Sequence, residues 1–240
     1  MRSAPTTAQL RARSVAFASV ARLLGPDTTS LTDPGVVGTL RLALITAGQD
    51  SALRRMDTFA AIELPSSEQL AGRWVRWFDL GRVAPYEGSN VVTTVAGVTP
   101  RLADIAGFYR AFNTVVRDDR PDHVVAQLEF VAVTVLMEAE ALERNDVDHA
   151  EIAADATRAF LRDHLGGWID AWAARVAEID ELAPWAPIAA TAVDLVRSEA
   201  AIRNVIPLRT SAALMADAGI PPDDEAITDC HDLADEDLLL

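Results

Sequence analysis

The chain has 240 residues, half of them hydrophobic, with 12 Gly and 12 Pro. That is a globular composition with ample material for a core, not a disordered or fibrous one. The formal charge is −15 and all 21 basic residues are Arg. An acidic chain lacks the clustered positive charge that phosphate backbones require, which argues against general nucleic-acid binding. Without Lys there is no P-loop lysine, no Schiff base and no lysine general base. The single Cys, Cys230, excludes an internal disulfide and a Cys-rich zinc site.

In chain order the sequence reads as helix after helix. Over 7–24, Leu10, Phe17, Val20, Ala21 and Leu24 recur at helical spacing and Gly25-Pro26 ends the run. Arg11 and Arg13 precede an apolar stretch over 15–21, but Arg22 interrupts it. The segment therefore reads as an amphipathic helix rather than a targeting signal, and the expected location is cytoplasmic. Helices are predicted over 34–46 and 51–62, then from Ser66-Ser67-Glu68 to Leu80. Residues 81–100 lack a helical period and form the one long loop. Its β-like run Val91-Val92-Thr93-Thr94-Val95 has no partner and reads as extended loop.

Further helices are predicted over 101–116, 121–143, 151–165, 168–179 and 187–206, with Gly166-Gly167 and Pro207 as breaks. Over 121–143, Val124, Leu128, Val131, Val135 and Leu142 mark one face, and Phe130, Val133 and Met137 mark another. Two apolar faces predict a buried central helix. No run approaches the roughly 18 apolar residues that a membrane span requires. After Arg209 there are nine acidic residues and no Arg, so 211–240 reads as a flexible acidic tail. The expected fold is all-α: one globular bundle of about eight to ten helices over 1–210, followed by that tail.

Enzyme signatures are missing. The chain has no G-x-S-x-G, H-E-x-x-H, G-x-G-x-x-G or C-x-x-C, and none of its four His pairs with another at i, i+4. Three constellations remain. In Arg120-Pro121-Asp122-His123, Pro121 suits the first helical position, which places Asp122 in the first turn. Asp122 then either caps the helix or meets a cation, and both side chains are expected near the surface. A His at a helix N-terminus suggests a neutral, hydrogen-bonding imidazole. In Pro85-Tyr86-Glu87-Gly88, an aromatic face beside a carboxylate suits an arginine, and equally an ordinary turn. In Trp74-Val75-Arg76-Trp77-Phe78, the aromatic residues read as core or as the wall of an apolar groove.

Taken together, these pieces resemble the TorD/DmsD/NarJ family of molybdoenzyme maturation chaperones. The resemblance rests on Leu102-Ala103-Asp104-Ile105-Ala106-Gly107-Phe108-Tyr109-Arg110-Ala111-Phe112, on Arg120-Pro121-Asp122-His123 and on Leu128-Glu129-Phe130. It rests also on Phe160-Leu161-Arg162-Asp163-His164-Leu165-Gly166-Gly167-Trp168 and on the Pro85-Tyr86-Glu87 turn. The order and spacing hold over roughly residues 10 to 205, and the flavour is that of the branch serving type II dimethyl-sulfoxide-reductase-like enzymes. Gln127 stands where the family often has Glu, and Val131 where it often has Met.

The resemblance implies an all-α chaperone without catalysis or cofactor. Such a protein binds the twin-arginine signal peptide of a molybdopterin enzyme's catalytic subunit and holds that subunit in the cytoplasm until its cofactor is inserted. It carries peptide binding to Asp122, His123, Pro85, Tyr86, Glu87, Trp74, Trp77 and Phe78, with Phe17 at a first-helix aromatic position. Some members dimerise by exchanging helices and some bind guanine nucleotides; this chain has no P-loop that would support the latter. The alternative is a helical metal-dependent hydrolase using Asp122, His123 and Glu129, which lacks a second His in register. A helical transcription regulator is disfavoured by the acidity.

Overall fold

Local capping chemistry sets most of the helix starts. Thr6 accepts from the Gln9 amide while the Gln9 side chain accepts from the Thr6 amide, and this reciprocal cap opens α1 (Thr7–Leu24). Asp33 accepts from the Gly35 amide and Pro34 fills the first helical position of α2 (Pro34–Thr46). After α3 (Asp50–Ala60), a second reciprocal cap between Ser66 and Gln69 opens α4 (Ser67–Trp74). The later helices are α5 (Thr99–Ala111), α6 (Val124–Glu143), α7 (Val147–Asp163), α8 (Ile169–Ala177) and α9 (Ala186–Ile202). The computed structural model describes residues 5–91, 97–116 and 120–208, and the expected all-α bundle is what it contains: nine α-helices and no β-strand among the described residues. Most of the β-like run, at 92–95, and the acidic tail lie outside the described residues.

Helix ends depart from the periodicity where backbone chemistry intervenes. α5 stops at Ala111, short of the predicted 116, because Asn113 adopts a left-handed φ of 53°, a conformation that Asn tolerates. Asn204, at φ 54°, ends α9 before Pro207 is reached. α7 begins four residues earlier than predicted because the Asp146 carboxylate accepts from the His149 amide. α6 begins at Val124, not Pro121. Residues 120–123 are instead a turn, and His123 is the N-cap.

α1 is the centre of the bundle, packed by α2, α6 and α9; α7 covers α6, and α3 and α8 lie on α9. Leu10, Phe17, Val20, Leu128, Val131, Val135, Ile188 and Leu195 fill the space between them. The two apolar faces of α6 are covered unequally: Phe130 of the second face is buried in the core, and Leu142 at the end of the first is exposed. Val124, Leu128, Val131 and Val135 are buried, whereas Val133 is half-buried and Met137 exposed. That second face contributes to the pocket described below.

Candidate peptide-binding site

The Pro85–Gly88 turn and the start of α6 are joined by main-chain bonds. The Val124 amide donates to the Pro85 carbonyl (2.8 Å) and the Glu87 amide to the Asp122 carbonyl (2.9 Å). Tyr86 and His123 form an isolated antiparallel bridge, with their rings edge to face at 5.1 Å. Tyr109 of α5 donates its hydroxyl to the Pro121 carbonyl (2.7 Å), which fixes the turn from the other side. Burial and the carboxylates of Glu87, Asp122 and Glu129 keep that hydroxyl protonated far above the usual phenol range. Thus Pro85, Tyr86, Glu87, Asp122 and His123, thirty-odd residues apart in sequence, meet at one place.

Their side chains are not displayed as expected. Asp122 is 1% exposed and His123 3% exposed. Asp122 takes a two-pronged hydrogen bond from Arg120, Nε to Oδ1 (3.0 Å) and Nη2 to Oδ2 (2.8 Å), and accepts the Gly88 amide at Oδ2 (2.9 Å). A Cβ on Gly88 would stand 3.0 Å from that oxygen and 2.9 Å from Val98, so only glycine lets the turn approach so closely. The Arg120 guanidinium lies over the Tyr86 ring, 4.6 Å from its centroid. The Nδ1 of His123 accepts from the Val125 amide (3.1 Å), so that nitrogen carries no proton and the ring caps α6.

Glu87 is fully buried and lies at the centre of a network that sequence reasoning missed. It receives Arg101 Nε and Gln127 Nε2, and it bonds His164 Nδ1 at 3.2 Å. His164 bridges onward to the exposed Asp104 (Nε2 to Oδ2, 3.1 Å), and Trp168 Nε1 donates to Gln127 Oε1 (3.1 Å). Burial pushes the Glu87 carboxyl up, but His164 and Arg101 outweigh it and hold the group below the ordinary carboxylate range. His164 ends α7 with a distorted backbone, where Gly166 passes so close to the Leu161 carbonyl and Pro207 that a Cβ would collide with both. Sequence reasoning singles out Glu87 and notes Gln127 separately, and Asp104, His164 and Trp168 sit inside segments that carry the resemblance, but nothing local joins them.

Beside the turn opens a pocket of about 550 Å³ between α5 and α6. Tyr109, Val115, Val116, Val125, Phe130 and Val133 give it apolar walls, and Thr114, His123 and Glu129 are polar members of its lining. Glu129 is solvent-accessible, yet burial against these walls raises its pKa.

Of the two readings of the upstream aromatic cluster, core or groove wall, Trp74 and Phe78 follow the core reading. Beyond Trp74 the helix widens into a π turn (Val75–Asp79), and Trp74 and Phe78, four residues apart, go inward together. Trp74 Nε1 donates to the Leu24 carbonyl (3.1 Å), and Phe78 packs on Trp172 and Trp185 with ring centroids 6.0 and 5.9 Å away. Phe17 is fully buried in the core. Trp77 is half-buried and donates to Glu181 (3.1 Å). The metal alternative gains nothing either: no three His, Cys, Asp or Glu side chains converge to hold an ion among the described residues. Asp122 is committed to Arg120, and His123 Nδ1 to the Val125 amide.

Residues 43–174, more than half of the chain, match the family model of the nitrate reductase delta subunit. The chain belongs to that family. The matched stretch contains the Pro85–Gly88 turn, Asp122, His123, the α5–α6 pocket wall and His164; α1 with Phe17, and α9, lie outside it. The chain is 33% identical to the chlorate reductase assembly chaperone protein of Ideonella dechloratans over 109 residues, 42% of this chain and 54% of that one. It is 33% identical to the selenate reductase assembly chaperone protein of Thauera selenatis over 120 residues, 47% and 60% respectively. The chain thus spans somewhat more than half the length of these curated relatives. No helix among the described residues is long and apolar enough to cross a membrane.

Proposed function

We propose that this protein is a cytoplasmic chaperone for the catalytic subunit of a molybdopterin oxidoreductase. It binds the subunit's twin-arginine signal peptide and apo form, assists cofactor insertion and prevents premature export. It performs no chemistry itself and needs no cofactor. The observation that carries this reading is a juxtaposition. An apolar pocket with one carboxylate, Glu129, at its rim opens beside a turn that already holds a guanidinium between Asp122 and Tyr86. A signal peptide offers arginines followed by an apolar stretch, the same chemistry in the same order. Both features lie within the stretch that defines family membership, and the two relatives carry assembly-chaperone names.

Calorimetric titration with a client signal peptide and with its twin-lysine variant tests this reading. Saturable binding by the arginine form, weaker for the lysine form and weakened by salt, is expected, because a planar guanidinium fork fits a carboxylate that an ammonium only attracts. Absence of binding to either peptide would overturn it.

A further inference from the structure

Asp122 is a buried carboxylate whose guanidinium partner faces solvent. The carboxylate is 1% exposed, whereas the Arg120 side chain is 44% exposed. Three contacts define the place that this guanidinium fills: the fork onto both oxygens of Asp122, the stack on Tyr86 at 4.6 Å, and the neighbouring Gly88 amide on Oδ2. Of these partners, Gly88 and Tyr86 belong to the turn, which main-chain bonds of Glu87 to Asp122 and of Val124 to Pro85 hold independently of the Arg120 side chain. Arg120 itself precedes the α6 cap, its carbonyl accepts the His123 amide (3.2 Å), and its side chain reaches Asp122 from only two residues away. Through its contact with Tyr86, His123 links this place to the apolar pocket that it also lines.

We infer that Arg120 is a stand-in for an arginine of the bound peptide, and that a guanidinium-bearing segment binds by exchanging with it. The inference rests on the signal-peptide reading for the identity of the peptide, but not for the existence of the place. Exchange keeps the buried carboxylate paired at every stage, since a stripped Asp122 would be a buried, uncompensated charge. It also makes Arg120 a competitor: an occupied place lowers apparent affinity by the fraction of time it stands empty. A peptide with arginine alone gains little over Arg120. One that adds an apolar segment for the adjoining pocket gains the difference, so the exchange discriminates for arginine followed by apolar residues.

The test uses the full chain and two small probes. The Arg120→Ala variant is expected to melt roughly 5 °C below the parent, because Asp122 loses its partner. Millimolar argininamide restores most of that loss, while lysinamide at equal concentration does not, and the parent responds to neither. The same variant is expected to bind the signal peptide about tenfold more tightly than the parent. Should Arg120→Ala be too unstable to purify, Arg120→Gln, which keeps one hydrogen bond to Asp122, serves in its place. Argininamide acting equally on parent and variant, or signal-peptide affinity unchanged by the substitution, overturns the exchange while leaving peptide binding intact. If argininamide rescues the variant but the signal peptide binds neither protein, the arginine place is upheld and the signal-peptide reading falls.

Discussion

Among the described residues, two regions with buried charge are built from different kinds of chain. In the first, Arg203 pairs with Glu199 (2.7 Å) and Glu138 (2.6 Å), and Arg13 lies 3.7 Å from Glu199. These four residues sit on α1, α6 and α9 or directly at the end of α9, and all are largely shielded from water. In the second region, Glu87 and Asp122 are just as buried, but they sit on turns and their cationic partners Arg101 and Arg120 reach into solvent. Charge locked between packed helices has no route to a competitor. Charge held on turns, with one partner open to water, has one. The first region therefore clamps the scaffold, and the second is the one to which the proposed peptide exchange belongs.

Removing Glu199 should separate the two regions most sharply. Glu199→Ala strands Arg13 and half of Arg203 in the interior and is expected to cost roughly 3–5 kcal/mol of stability. Signal-peptide affinity of the folded protein should stay as it was. Chemical denaturation alongside calorimetry reads both quantities. A loss of affinity matching the loss of stability would show that the regions are not independent.

Glu87→Gln comes next, at roughly 2 kcal/mol, since Gln127 and His164 lose a charged acceptor. Its pH dependence has a defined sign. The folded protein holds the Glu87 carboxyl below the ordinary value of 4.5, so its contribution is complete above that value and is lost as pH falls through the folded one. Stability measured from pH 6 down to pH 3 should therefore fall less steeply in Glu87→Gln than in the parent. Parallel curves would remove Glu87 from the acid response.

Glu129 should behave in the opposite way. Its pKa is raised in the fold, so it favours stability below the ordinary carboxylate range and forfeits that as pH rises through the folded value. At neutral pH, Glu129→Gln is expected to melt at or slightly above the parent temperature. It should bind the signal peptide about fivefold more weakly, as befits a solvent-accessible charge worth about 1 kcal/mol. A variant that is less stable yet binds normally would make Glu129 a structural residue. The smallest effect is expected from truncation after Gly219, which removes acidic chain with little apolar surface to bury and should move Tm by no more than about 1 °C.

What the sequence made legible follows the range of the interactions. α1 and α2 fall at their predicted bounds because periodicity, caps and breakers lie within a few residues of one another. The start of α6 was misplaced because Pro121 is a good first helical residue, while the bonds that make 120–123 a turn come from Tyr109 and Glu87. Pro85, Tyr86, Glu87, Asp122 and His123, which the resemblance grouped as one binding set, meet in space, but Asp122 and His123 are buried where surface positions were expected. Arg120 stood two residues from Asp122 in plain view, yet only the fold shows the guanidinium closing back on the carboxylate and stacking on Tyr86. The His164 bridge joins residues 60 and 77 positions away, beyond any local pattern. As a consequence, Asp122→Asn should cost both stability and affinity, since the buried carboxylate serves both.

The central claim is that a client signal peptide lays its apolar segment into the α5–α6 pocket, next to the arginine place. Photo-crosslinking measures this most directly, with benzophenone-bearing residues in the apolar segment of the peptide and mass spectrometry of the adducts. The account predicts capture on Val115, Val125 or Val133, competed away by unlabelled peptide. Capture on the exposed α2 residues Leu42 and Ile45, with the pocket untouched, would contradict it.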